Sequence, residues 1–104
     1  MSEFDLSRYT GFDWDQGNVD KNWLKHKVSP FESEQIFFNQ PLLVAPDEAH
    51  SMEEGRFYAL GRTDAGRHLF LVFTIRRDLV RVVTSRDMSR AEKEVYDSHE
   101  EQDS

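Results

Sequence analysis

Residues 68–86, "HLFLVFTIRRDLVRVVTSR", decide the fold. The first nine, 68–76, are nearly continuously apolar, the pattern of a central strand covered on both faces. Arg77-Asp78 is a tight turn. "LVRVVTSR" at 79–86 then alternates, setting Val80 and Val82 against Arg81 and Val83. Strands joined by so short a turn pair antiparallel. Just upstream, "RFYALGR" at 56–62 reads as another strand, closed by the turn "TDAGR" at 63–67. Three consecutive strands therefore form an antiparallel meander.

Working outward, residues 42–46 make a short strand, separated from the meander by the polar loop "DEAHSMEEG". "VSPFESEQIFF" carries a helix start: Ser29 as N-cap, Pro30 at N1 where its missing N–H is harmless, and Glu32 placed for a capping box. Phe31, Ile36, Phe37 and Phe38 supply that helix with its apolar face, and "NQP" at 39–41 ends it. Upstream, Asp15 or Asn18 caps a helix running to about Lys25, with Val19, Trp23 and His26 near one stripe and Trp23 assigned to the core. Phe12-Asp13-Trp14 reads as a first strand. Ser89 caps a last helix, and beyond Tyr96 the acidic "DSHEEQDS" is expected to be frayed or disordered. The order is β-α-α-β-β-β-β-α: an α+β domain at 11–96, with a loose lead-in at 1–10, an acidic tail at 97–104, and two N-terminal helices packed on one sheet face.

The chain of 104 residues fits one domain, and with 38% hydrophobic and 32% charged residues it must carry a compact core under a heavily charged surface. It has no cysteine, which excludes disulfides and thiolate metal sites. "MSEFDLSRYT" has no apolar h-region, and "LFLVFTI" is too short to span a bilayer. A cytoplasmic protein without membrane contact is the expectation. The net charge of −7 conceals an asymmetry. Residues 1–53 hold four Lys/Arg against ten Asp/Glu; residues 54–90 hold eight arginines against four acids; residues 91–104 hold one lysine against six acids. Arginine suits bidentate contact with phosphate, so the middle block is a candidate phosphate-reading face.

Several side chains are candidates for chemistry. The period of two puts Arg56, Tyr58, Leu60 and Arg62 on one face of their strand. Arg76 and Arg86 lie near the ends of the next two. Such a cluster would suit a phosphate whose transition state gathers negative charge; a solvated face paired with Glu53, Glu54 or Asp87 is the commoner use of such residues. His26 can serve as acid or base near neutrality, with Lys25 beside it, or can simply interact with the end of its helix. Glu54 can act as a base on a ribose 2′-hydroxyl. Trp14 can stack on a base or pack. His50, His68 and His99 show no metal-ligand spacing, so no metal site and no cofactor are expected.

In order along the chain, "FDWD", "N-x-x-K-H-x-V" from Asn22 to Val28, the strand at 56–62, "L-x-x-V-x-T-x-R" ending at Arg76, and "RVVTSRDMSRAE" at 81–92 resemble the BrnT toxin family over about residues 11–96. The resemblance implies a RelE-like fold and a ribonuclease that cleaves RNA without a metal and blocks translation. It implies a BrnA-like ribbon-helix-helix antitoxin as partner, operator DNA reached only through that antitoxin, and a heterotetrameric complex. The matched positions are Trp14, Lys25, His26, Glu54, Arg56, Arg62, Arg76, Ser85, Arg86 and Arg90. Within them, His26 or Glu54 would supply acid–base catalysis, and Arg62, Arg76 and Arg86 would hold the phosphate. Lys25, Arg56 and Arg90 would contact the RNA backbone, and Trp14 would stack or buttress. Three features depart from the family pattern. Lys27 stands where many members carry Gly, Gly55 separates acid from arginine, and the chain is acidic where RNA-binding toxins tend to be basic. The acidic tail is therefore a candidate to fold over the arginine face as an RNA mimic. A toxin-like corepressor without catalysis is the competing expectation.

Overall fold

After a single 3-10 turn at Leu6–Arg8 come β1 (Gly11–Asp13), α1 (Gln16–His26) and α2 (Pro30–Gln35), which runs into a 3-10 turn at Ile36–Phe38. β2 (Leu43–Pro46), β3 (Arg56–Arg62), β4 (His68–Arg76), β5 (Leu79–Asp87) and α3 (Arg90–Asp103) follow. The structure, a computed structural model, describes residues 4–47 and 55–103. Its five-stranded sheet has the order β1-β5-β4-β3-β2, with β1 parallel to β5 and every other neighbour antiparallel. This is the α+β element order expected from the sequence, including the β3-β4-β5 meander.

The β4–β5 hairpin closes through Arg77 and Asp78, both with left-handed φ (52° and 64°), as a two-residue turn matched to strand twist requires. Higher up the hairpin a bulge intervenes. Val72 faces Thr84 while Phe73 faces Val82, so Val83 is the extra residue of β5. The bulge shifts the inward phase of β5 from Val80 and Val82 to Ser85, all three fully buried. The simple alternation read from 79–86 therefore holds only as far as Val82.

One sheet face packs beneath α1, α2 and the 3-10 turn. Ala59, Leu69, Leu71, Phe73, Val80 and Val82 meet Val28, Ile36 and Phe37 there. Phe37 and Phe73 pack edge-on with centroids 5.3 Å apart. A Cβ at Gly61 would stand 2.8 Å from Ile36 Cβ, so only glycine lets β3 approach this closely. The opposite face carries Tyr58, Leu60, Phe70 and Arg86 and lies partly under α3. The fully buried Tyr96 anchors α3: its hydroxyl donates to the Pro41 carbonyl at 2.7 Å and its ring packs edge-on against His68.

The helix starts follow their sequence signals. Asp15 caps α1, accepting from the N–H groups of Gly17 and Asn18. Ser29 and Glu32 form the reciprocal capping box of α2, and Ser89 and Glu92 repeat the pattern at α3. Three expectations need correction. Trp23 is not in the core but 49% exposed. The inward residue is its neighbour Asn22, whose Oδ1 accepts from the Ser85 N–H beside the bulge at 3.2 Å, turning the buried stripe by one residue. The second helix stops at Gln35, and of its four apolar residues only Ile36 and Phe37 are buried; Phe31 and Phe38 face solvent. Finally, α3 does not fray after Tyr96 but continues to Asp103, because the Tyr96 anchor and carboxylate–arginine pairs on its inner side hold it to the sheet.

Candidate active site

The C-terminus of α1, the N-terminus of α2, the β3–β4 turn and the end of β5 converge at one end of the sheet, and Arg67 ties them together. Its guanidinium donates all five of its N–H groups. Nε and Nη2 bind Asp87 Oδ1 and Oδ2 at 2.6 and 3.1 Å. Nη1 binds Glu32 Oε2 at 3.1 Å and the Lys27 carbonyl at 2.8 Å, and Nη2 binds the His26 carbonyl at 3.0 Å. A side chain so fully occupied fixes geometry; it has no donor left for a phosphate. Sequence reasoning missed it because a single arginine after a turn resembles a solvated one. The signal lay in the acids at Glu32 and Asp87, too far away in sequence to be linked to it.

Arg67 places His26 and Asp87 close together. The Asp87 carboxyl is held below its usual range first by the Arg67 hydrogen bonds and, more weakly, by the charge of His26. Lys25 and Lys27 are the neighbours of His26 in the chain. Lys27 is the C-cap of α1 with φ 56°, a left-handed conformation that favours glycine. That conformation is a physical reason for glycine at this position, and its cost here comes with a cation: Lys27 Nζ lies 5.5 Å from the centroid of the exposed Trp23 ring. Arg90, exposed at the start of α3, follows three residues after Asp87.

On the other face of the same sheet end, Arg86 lies 4.1 Å over the Phe70 ring and forms a two-pronged pair with Glu92 at 2.9 and 3.0 Å. That pair first, and the Ser89 N–H as well, hold the Glu92 carboxyl below its usual range. Arg62 donates to the Gln40 carbonyl at 3.0 Å and faces Glu100 at 3.7 Å. Carboxylates of α3 thus face both guanidinium groups.

The remaining expected site residues fall elsewhere. Arg86 pairs with Phe70 in the sheet, and Arg76 lies six residues further along β4, roughly 20 Å away at strand rise. Arg62, Arg76 and Arg86 therefore cannot grip one phosphate together. Arg56, opposite Thr74, is also at the far end. Trp14 donates its indole N–H to Glu34 Oε2 at 2.8 Å and, partly buried, packs against the core. Ser85 is buried, its hydroxyl 2.9 Å from that of Ser33. Glu54 lies outside the described residues.

The chain is thus a small α+β domain that gathers His26 and the acid-paired Arg62, Arg67 and Arg86 at one end of its sheet. The family model described as ribonuclease toxin, BrnT, of type II toxin-antitoxin system matches residues 14–92, and the chain belongs to this BrnT family. Its fold is similar to the 1.1 Å crystal structure of the Brucella abortus ribonuclease toxin BrnT, with TM-score 0.60 and 19% identity over 77% of this chain and 97% of that chain. No curated protein sequence matches significantly. Among the described residues no helix is long and apolar enough to cross a membrane.

Proposed function

We propose that the chain is an endoribonuclease that cleaves RNA without a metal ion and blocks translation, and that a BrnA-like ribbon-helix-helix antitoxin neutralises it in a heterotetramer that reaches operator DNA through the antitoxin. The observation that supports this reading is the Arg67 hub, which joins the His26 main chain to the Asp87 carboxylate, with the His26 charge acting on that carboxylate and Lys25 and Lys27 next to His26 in the chain. His26 exchanges a proton with the ribose 2′-hydroxyl or the leaving oxygen. Arg86 and Arg62 stabilise the charge on the scissile phosphate once Glu92 and Glu100 yield to it. Lys25 and Arg90 hold the flanking backbone, and Arg56 and Arg76 bind the strand further along the sheet. Glu54 is the second candidate base.

Purified chain incubated with RNA, with and without EDTA, tests the proposal. Cleavage persists in EDTA, and His26→Ala lowers its rate by about 10²–10⁴. Unchanged rates in His26→Ala, Arg62→Ala and Arg86→Ala would remove this site assignment. The pairing of Arg86 and Arg62 by α3, in a chain of net charge −7, supports a second reading: a catalytically weak corepressor. On that reading the antitoxin binds normally and RNA stays intact at every protein concentration.

A further inference from the structure

We propose that His68, Asp97 and Glu100 form a binding site for a divalent ion of the zinc class, joining the start of β4 to α3. One ligand atom from each lies within 4.8 Å of the others. His68 Nε2 is completely buried and has no hydrogen-bond partner among the described residues, a state that costs free energy unless a cation or donor meets the nitrogen. Its nearest charged neighbour is Glu100 Oε1 at 3.7 Å. Ligand atoms around tetrahedral zinc stand about 3.3 Å apart, given metal–ligand distances near 2.0 Å. The His68–Glu100 separation needs to close by only a few tenths of an ångström.

The surrounding groups are arranged for the same purpose. Tyr96 packs edge-on against the His68 ring with centroids 5.4 Å apart, fixing the direction of Nε2. Glu100 offers Oε1 to His68 while Arg62 holds its Oε2 at 3.7 Å, so the carboxylate can ligate without losing its outer partner. Lys93 holds Asp97 through Oδ2 at 3.3 Å, leaving Oδ1 available. Asp97 and Glu100 are three residues apart on α3 and share a face. One imidazole and two carboxylates leave a fourth position open, and this donor set suits Zn²⁺ or Mn²⁺ better than Mg²⁺. The spacing hides the site in the sequence because the histidine comes from a strand and the acids from a helix that follows much later.

The ion would clamp α3 onto the sheet, and because its binding is read without RNA, the site stands or falls independently of the ribonuclease reading. Zn²⁺ and Co²⁺ are titrated into the full chain, read by calorimetry, by the visible absorption of Co²⁺, and by thermal melting. One ion binds per chain, and Zn²⁺ at a hundredfold excess over its Kd raises Tm by about 5 °C or more. Asp97→Asn and Glu100→Gln, both changes of partly exposed carboxylates that spare the fold, remove the Tm shift and the Co²⁺ absorption. His68→Ala does the same, and His99→Ala leaves both intact. Absence of saturable binding would overturn the proposal, as would equal Tm shifts in the wild type and Asp97→Asn. So would a Tm that follows pH but not Zn²⁺, which a plain protonated His68–Glu100 pair would give.

Discussion

Replacing Arg67 with Met keeps the aliphatic stem and removes the guanidinium that joins four elements. The two hydrogen bonds to the His26 and Lys27 carbonyls contribute about 1 kcal/mol each. The ion pairs are discounted for exposure: Asp87 is 64% exposed and Glu32 30%, so each pair contributes about 0.5 kcal/mol. The expected loss at pH 7 is therefore about 3 kcal/mol, a Tm decrease of roughly 15 °C, which leaves a folded protein. Acid shrinks the difference. Arg67 pulls the Asp87 carboxyl below its usual range; for Glu32, burial alone would raise the carboxyl, but hydrogen bonds from Ser29 and Arg67 outweigh it. Depressed carboxyls contribute stability above their unfolded values near pH 4, and that contribution disappears as pH falls through their folded values. Urea unfolding of wild type and Arg67→Met at pH 7 and pH 3 measures both parts. About 2 kcal/mol, from the carbonyl bonds, survives in acid. A total loss under 1 kcal/mol at pH 7, or a difference independent of pH, would refute the hub. Arg67→Lys is expected to recover less than half, because three donors on one nitrogen cannot span four acceptor groups.

Three further outcomes are expected. Lys27→Gly relieves the left-handed C-cap and raises stability by about 1 kcal/mol in urea unfolding, while RNA binding weakens with the lost cation. Gly61→Ala drives a methyl into Ile36 Cβ, an atom close to the backbone that cannot swing away, and costs about 1–3 kcal/mol, visible as a Tm decrease of roughly 10 °C. Glu92→Gln removes the charge that occupies Arg86; binding of single-stranded RNA tightens several-fold, and the salt dependence of binding steepens as one more cation meets phosphate.

The strands and caps were legible in the sequence because each rests on local chemistry. Apolar runs of strand length mark β3, β4 and β5, and Ser29-Pro30 with Glu32 marks α2 whatever surrounds it. The errors came from long-range geometry. Helical period points Trp23 to the core, but the Ser85 N–H beside the bulge needs an acceptor, and Asn22 supplies it from the adjacent position. No local signal in 79–86 announces that bulge. A tight turn makes the strands that carry Arg76 and Arg86 neighbours, which suggests a common cluster. Yet in a hairpin, residues near the turn lie far from those at the open end.

Charge shows most clearly why the site required three dimensions. An acidic chain looks unsuited to a polyanion, but the acids are not spread evenly over the cations. Asp13 and Asp15 take Arg81, which first the Asp13 hydrogen bond and then the Asp15 pair hold firmly protonated. Asp87 and Glu32 take Arg67, Glu92 takes Arg86, and Glu100 faces Arg62. Each pairing removes a cation from service or makes its release conditional on moving α3. Lys25 and Arg90 make no ion pair among the described residues, and Lys27 meets only an aromatic face. These uncompensated cations lie at the end of α1 and the start of α3, near His26 and Asp87 in the chain. On the proposed reading, a polyanion would find unpaired cations there, beside His26 in the chain and at the start of α3, although the net charge of the whole chain is negative.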